Sequence, residues 1–312
     1  MKIRQMRQIL EISENESINR ASRKLYISQS ALSASISSVE EELGQQLLVR
    51  SHSGIELTEF GKKFVEASRQ ILEIYDRLLL ETTSENATQL SVSCQYLKYV
   101  GSIFLRCSAE FADSRNSFRY AEKVRGEVCK DVMNGTSDIG IIVPPTDCRE
   151  RVMRMLESQE LECHLITTDK ARCLVGPKNP FYRKKAGVIR RDQMADYQQI
   201  QYEHARLDWE REVFPTEGSV FPNRGVLFIS DSGSFQNILK ETDSIFVGLY
   251  NEKAYSSNKY YSDIRVLDIE DMDYCYDTMW VCRKGWHLTP FARKFLRDIY
   301  AAVGRPAEDI PV

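Results

Sequence analysis

The sequence predicts an α/β protein in three parts: a small helical module closed by a two-stranded wing, a long amphipathic helix, and a larger region of strands alternating with helices. Three observations carry this reading. Two short helical stretches near the start are separated only by Tyr26-Ile27 and a capping serine, and helices joined so tightly must cross steeply, as in a helix-turn-helix. Phe64, Ile71 and Leu78 recur every seven residues, the spacing of a helix seam that wants a second helix. From residue 90 onward short apolar runs alternate with helical ones, the βαβ order that builds a parallel sheet with right-handed crossovers.

Each element has its own signal. Ile3, Met6, Ile9 and Leu10 share one face of a first helix; Ser17 caps a second, whose inner face is Ile18, Ala21, Ser22 and Leu25. Ser28 caps a third, lined by Leu32, Ile36, Val39 and Leu43 and ended by Gly44. Leu47 to Arg50 and Ile55 to Leu57 read as short strands around Ser51-His52-Ser53-Gly54, and Thr58 caps a helix reaching about residue 82. Residues 81 to 89 are polar and aperiodic, which marks a hinge. Beyond it, strands are expected at 90–94, 118–124, 139–143, 173–175, 199–201, 226–229, 245–249 and 279–282. Helices are expected at 97–112, 126–134, 235–240 and 289–302.

At 312 residues the chain holds roughly two domains. Its 42 Lys and Arg against 45 Asp and Glu give a net charge of −3, and 42% hydrophobic with 28% charged residues is ordinary globular composition. Bulk charge alone argues against a nucleic-acid partner. The stretch Met1-Lys2-Ile3-Arg4-Gln5-Met6-Arg7 lacks the apolar core of a signal peptide, and no run approaches the roughly 18 apolar residues of a membrane span. A cytoplasmic protein with no membrane contact is expected. Its eight cysteines (Cys94, Cys107, Cys129, Cys148, Cys163, Cys173, Cys275 and Cys282) are scattered, with no C-x-x-C pair, so free thiols are expected.

Arg4-Gln5-Met6, Ser17 to Ser22, Leu25 to Ser33, Ile36, Glu40 to Gly44 and Leu57-Thr58-Glu59-Phe60-Gly61 together resemble the LysR-type bacterial transcriptional regulators. The remainder matches more loosely, at Gly135 to Ile141 and Asn179-Pro180-Phe181. The resemblance implies a winged helix-turn-helix DNA-binding domain at 1–58, a linker and dimerisation helix with hinge at 59–88, and an effector-binding domain at 89–312. That domain resembles a two-lobed periplasmic solute-binding protein, with lobe I at about 89–165 and 268–312 and lobe II at about 166–267. It implies double-stranded DNA, a small-molecule effector and self as partners: a homodimer through the linker helix (Phe64, Ala67, Ile71, Ile74, Leu78) and a homotetramer beyond it.

Residues 1 to 63 carry nine bases against eight acids, so distribution matters more than the sum. Glu40 to Glu42 sit at the far end of the third helix, whereas Gln29, Ser30, Ser33, Ala34 and Ser37 leave its first turns free of acid. A helix N-terminus offers N–H groups to phosphate; Gln29 can bridge adenine N6 and N7, and the serine hydroxyls suit phosphate or base. Arg50 and His52 are candidate wing contacts. The family commonly has Pro at the position of Ser30 and a long side chain at that of Ala34; losing an arginine there removes about 1–3 kcal/mol of discrimination at one base pair. Weaker single-site binding, offset by avidity, is expected.

By resemblance, Ser93, Cys94, Gln95 and Tyr96 face an effector from one side, and Val143, Pro144, Tyr202, Ser230, Asp231, Ser232 and Gly233 from others. Redox-sensing relatives carry a paired cysteine in the second lobe, which residues 174–274 lack. No G-x-G-x-x-G, P-loop or G-x-S-x-G is present, and His52, His164, His204 and His287 are dispersed. No catalytic residue, metal site or cofactor is therefore expected. A solute-binding protein would leave residues 1–82 without a use, and a regulator whose DNA binding has decayed has only Ala34 in its favour.

Overall fold

The computed structural model describes the chain apart from residues 16, 52–53, 83–88, 112–115, 203–222, 257–262, 271, 307, 309 and 311–312. It forms two compact units, Met1–Ala87 and Thr88–Val312.

In the first unit, helices α1 (Ile3–Asn15), α2 (Ile18–Lys24) and α3 (Gln29–Leu43) close around Met6, Ile9, Ile12, Ala21, Leu32, Ile36 and Val39. Local chemistry sets their ends. Ser17 Oγ accepts from the Arg20 amide at 3.4 Å and Ser28 Oγ from the Ala31 amide at 3.2 Å, and Gly44 ends α3 at φ 63°, a left-handed conformation that suits glycine. The wing pairs β1 (Leu48–Ser51) with β2 (Gly54–Leu57) antiparallel, Leu48 opposite Leu57. Glu40 Oε1 accepts from the Leu47 and Leu48 amides at 2.7 and 3.2 Å, so one of the three clustered acids is turned into the wing. Helix α4 (Glu59–Thr82) buries Phe64, Val65 and Leu72 in the same core.

The second unit opens with β3 (Gln89–Cys94), α5 (Lys98–Glu110), β4 (Ser117–Glu122), α6 (Arg125–Met133) and β5 (Ile139–Ile142), in which β3 pairs parallel with both β4 and β5. Helix α7 (Arg149–Ser158) leads into a fifteen-residue strand, β6 (Leu161–Val175). There follow β7 (Val188–Ile189), β8 (Gln198–Tyr202), β9 (Gly225–Ile229), α8 (Ser232–Glu241), β10 (Ile245–Leu249), α9 (Glu252–Ser256), β11 (Arg265–Ile269), β12 (Cys275–Arg283) and α10 (Pro290–Ala302). The strand order is β4-β3-β5-β12-β6-β10-β8-β9, with β11 paired to β6 and β7.

The expected parallel pairing holds for β3, β4 and β5, while the sheet as a whole is mixed. β6 runs antiparallel to β12, β10 and β11, while β8 pairs parallel with β9 and β10. The first twelve residues of β6, together with α7, β7, α9 and β11, were not expected from the sequence. Thr167-Thr168-Asp169-Lys170 break the apolar pattern of β6, and its length comes from pairing with β12 on one side.

β6 is also what divides the unit into lobes. Through Lys170, opposite Cys275, its partner is β12; from Ala171 to Val175 its partners are β10 and β11. The changeover thus lies at about 170 and 275 rather than at 165 and 268, because β11 pairs with lobe II strands. Each lobe has its own core: Val92, Ile103, Trp280 and Phe295 belong to one, Cys173, Phe181, Ile245 and Leu267 to the other. The chain after β10 crosses back once more, since Ala254 and Tyr255 of α9 join the lobe I core.

Candidate nucleic-acid interface and inter-lobe cleft

Because α3 buries Leu32, Ile36 and Val39, the opposite face is left outside: Gln29, Ser30, Ala34 and Ser37 are exposed and Ser33 is half-buried. Ser30 Oγ lies 3.1 Å from Ser28 Oγ, beside the cap rather than away from it. Sequence reasoning passed over Tyr26, which is 95% exposed at φ 55° in the turn between α2 and α3. A bulky aromatic held out at a left-handed position is unusual enough to merit a contact role. Arg50 lies on β1 opposite Ile55; its side chain, and His52 altogether, fall outside the described residues.

The candidate dimer seam divides in two. Phe64 is buried within its own unit, beside Val65 and Leu72, so it is core, not seam. Ala67, Ile71, Ile74 and Leu78 are exposed, Leu78 by 54%. Helix periodicity explains the split: Phe64, Val65, Ser68 and Leu72 turn into the core of the first unit, while Ala67, Ile71, Ile74 and Leu78 lie on another side of α4.

In the second unit the loop after β3 and the end of β8 meet. Tyr96, at φ 36°, stacks on Tyr202 with ring centroids 4.1 Å apart and an interplanar angle of 3°. Tyr202 is backed by Phe235 and Phe246 at 6.1 and 6.0 Å. Gln95 accepts at Oε1 from the Val143 amide at 2.8 Å, which joins two of the expected segments. Val143 and Pro144 are buried, and the Pro144 carbonyl accepts from the Asp277 amide at 2.9 Å.

Other expected contacts are committed elsewhere. Ser93 is fully buried, its hydroxyl donating to Asp131 at 2.5 Å and lying 2.7 Å from Ser137 Oγ; it braces β3 against α6 rather than facing a ligand. Cys94 points into the lobe I core. Asp231 caps α8, accepting from the Ser234 amide and hydroxyl, each at 2.7 Å. Those bonds, first, and Lys98 in part, hold its carboxyl below the ordinary aspartate range. Ser230 and Gly233 are exposed and Ser232 half-buried beside it. Lys98, in the first turn of α5, was missed by sequence reasoning. Burial lowers its ammonium pKa against the opposing pull of Glu122 and Asp231.

Burial pushes the thiols of Cys94, Cys107, Cys173 and Cys282 up to about 12 and that of Cys163 to about 11. All eight cysteines are free, and burial outweighs the opposing pull of Lys294 on Cys107 and of Arg283 on Cys282. Glu162, His164 and Cys282, by contrast, bring three metal-type donor atoms within 4.8 Å of one another.

The profile of the family described as "Bacterial regulatory helix-turn-helix protein, lysR family" matches residues 3–62. That segment is a LysR-type helix-turn-helix. Among curated relatives, the HTH-type transcriptional regulator ClcR of Pseudomonas putida is 31% identical over 105 residues, 34% of this chain and 35% of ClcR. The probable RuBisCO transcriptional regulator of Trieres chinensis is 26% identical over 198 residues, 62% of this chain and 61% of that protein. The alignments with the first curated relatives cover only 35%, 26% and 25% of those proteins. The crystal structure of CbnR, a LysR family transcriptional regulator, superposes with a TM-score of 0.66 at 16% identity, covering 97% of this chain and 99% of that one. CbnR complexed with its target DNA superposes equally well, at 0.66. At such identity the likeness establishes the LysR fold.

Local physics accounts for several LysR-type landmarks in this chain. A Cβ on Gly61 would lie 2.1 Å from the Leu47 carbonyl oxygen, and the Gly61 amide donates to Thr58 Oγ1 at 2.8 Å while the Thr58 amide donates to the Leu47 carbonyl at 3.0 Å. Glycine is what lets α4 start against the wing. Asp138 accepts from the Ser91 amide at 2.8 Å, and Arg283 donates to the Val132 and Ser137 carbonyls at 3.0 and 3.1 Å, tying the loop after α6 to β3 and β12. Asn179 accepts from the Phe181 amide at 2.9 Å and donates to the Asp243 carbonyl at 2.5 Å, which seats Phe181 in the lobe II core.

Proposed function

We propose that this protein is a ligand-responsive transcriptional regulator that binds promoter DNA through α3 and the wing and takes a small molecule between its two lobes. The observation that carries the reading is the outward face of the first turns of α3, where Gln29, Ser30, Ala34 and Ser37 are exposed and no acid stands, inside the segment that matches the family. CbnR has been crystallised on its target DNA, and the same mode of docking is the expectation for this chain.

In this assignment residues 1–58 read DNA, 59–88 link and dimerise, and 89–312 sense. Ala67, Ile71, Ile74 and Leu78 of one copy meet their counterparts in a second, and a homotetramer supplies the avidity that a module of nearly balanced charge needs. Gln95, Tyr96, Val143, Pro144, Tyr202 and residues 230–233 surround the effector, with Lys98 as its cationic partner. Effector binding shifts the population of lobe arrangements and so the spacing of paired winged modules. The protein acts in the cytoplasm, needs no cofactor and performs no catalysis; among the described residues no helix is long and apolar enough to cross a membrane.

A gel-shift titration on DNA upstream of its own coding region tests the proposal. A complex that weakens steeply with salt supports it; no salt-sensitive complex at any concentration overturns it. A thermal-shift screen of small metabolites identifies the effector through the stabilisation RT ln(1 + [L]/Kd).

A further inference from the structure

We infer that Glu162, His164 and Cys282 form a binding site for a late first-row divalent metal ion of the zinc class, on lobe I and away from the inter-lobe cleft. β6 and β12 pair so that Cys282 lies opposite Glu162 and Trp280 opposite His164. Residues two apart on a strand share a face, so Glu162 and His164 stand side by side with Cys282 across from them. Their donor atoms all fall within 4.8 Å of one another.

In a tetrahedral zinc site the bond lengths put neighbouring donors about 3.5 Å apart. Glu162 is exposed and its Oε2 already lies 4.0 Å from His164 Nε2, while the His164 ring lies 4.3 Å from that of Trp280. One buried thiol, one half-buried imidazole and one exposed carboxylate make a site open on one side.

The donor chemistry selects the ion. Thiolate and imidazole ligands favour zinc, cobalt and nickel over magnesium or calcium, which want oxygen cages. Three protein ligands leave a fourth position for water or an external ligand. On binding, the Cys282 Sγ–H bond is replaced by a sulfur–metal bond and the proton leaves to solvent, with no change in oxidation state. The site lies on the part of β6 that pairs with β12, before the lobe changeover at Lys170. A bound ion would pin the two strands that run on toward lobe II.

The test uses the full chain, stripped with a chelator and titrated with Co²⁺. The expected result is one ion per chain, a thiolate-to-cobalt charge-transfer band, visible bands of tetrahedral intensity, and quenching of tryptophan fluorescence through Trp280. Cys282→Ser removes the charge-transfer band. His164→Gln weakens binding by more than the roughly 10- to 100-fold that loss of an outer-shell partner costs. Cys163→Ser, on the opposite face of β6, leaves binding unchanged. Circular dichroism on each variant separates loss of the site from loss of the fold, and His164→Gln, at a partly exposed position, decides the matter if Cys282→Ser does not fold. Absence of the thiolate band at saturating Co²⁺, or equal binding by His164→Gln, overturns the proposal.

Discussion

Tyr96 and Tyr202 lie face to face, one from the loop after β3 in lobe I and one from the end of β8 in lobe II, with centroids 4.1 Å apart and planes 3° from parallel. The pair links the lobes without a covalent or ionic tie. A stacked pair is worth about 0.5–1.5 kcal/mol, a few-fold bias in a lobe equilibrium. Tyr96→Ala and Tyr202→Ala are therefore expected to loosen the lobes by that amount and to change effector affinity, whereas Tyr96→Phe keeps both near wild type. Small-angle scattering and calorimetric titration of the identified effector check this; identical behaviour of the Ala and Phe variants would refute it.

Asp277 is fully buried, and Arg149 grips it with two bonds of 2.6 Å, Nε to Oδ2 and Nη2 to Oδ1. Burial works to raise the carboxyl pKa, but the hydrogen bonds from Arg149, Thr168 and Thr146 outweigh it and hold the group below its ordinary range. The folded value is therefore lower than the unfolded one. The stability this contributes is in place above about pH 4 and is lost as pH falls through the folded value. Asp277→Asn should destabilise the second unit by about 2–3 kcal/mol at neutral pH, less than a fully dry pair because Arg149 remains partly solvated. The gap between wild type and variant should shrink on acidification, as read by denaturant melts at several pH values.

The close approach of Gly61 to the Leu47 carbonyl predicts a local failure. Gly61→Ala should cost the first unit about 1–3 kcal/mol as backbone shifts to admit the methyl group. Two-transition calorimetry should show the first unit melting earlier while the Thr88–Val312 transition stays put.

The two halves of the apolar row on α4 separate by experiment. Ile74→Asp and Leu78→Asp, at exposed positions, should dissociate the oligomer while leaving the first unit folded. Phe64→Ala should unfold that unit, because a buried Phe lost to a cavity costs about 3–5 kcal/mol. Sedimentation velocity with circular dichroism distinguishes the outcomes; a folded oligomer with both Asp substitutions would refute the assigned seam.

On DNA, Gln29→Ala should relax preference at one base pair by about 1–3 kcal/mol, and Ala34→Arg should add discrimination of similar size at another. Competition binding against a library of single-base operator variants reads both directly.

The helix-turn-helix and its wing were largely legible in the chain because their signals are local. Ser17, Ser28, Thr58 and Gly44 act within a turn or two of themselves, and apolar residues at helical spacing report their own burial. The cleft was less so. Ser93, Cys94 and Asp231 sit where the loops predicted, yet their polar atoms face Asp131, the lobe I core and the α8 cap, partners that no spacing rule names. Lys98 gave no motif at all, and Tyr26 stood in the turn between helices with nothing to mark its exposure.

By itself the sequence determined the helices of the first unit, their caps, and that a helix-turn-helix with a wing precedes an α/β region. The tertiary structure alone decided that β6 and β12 run antiparallel through the lobe boundary, that Phe64 belongs to the core and Leu78 to the surface, that Tyr96 meets Tyr202, and that His164 stands beside Cys282. The physical reason is range. Helix propensity and capping are settled among residues a few positions apart, whereas strand partners, register and cross-lobe contacts are settled by whichever distant segments bury the most surface together.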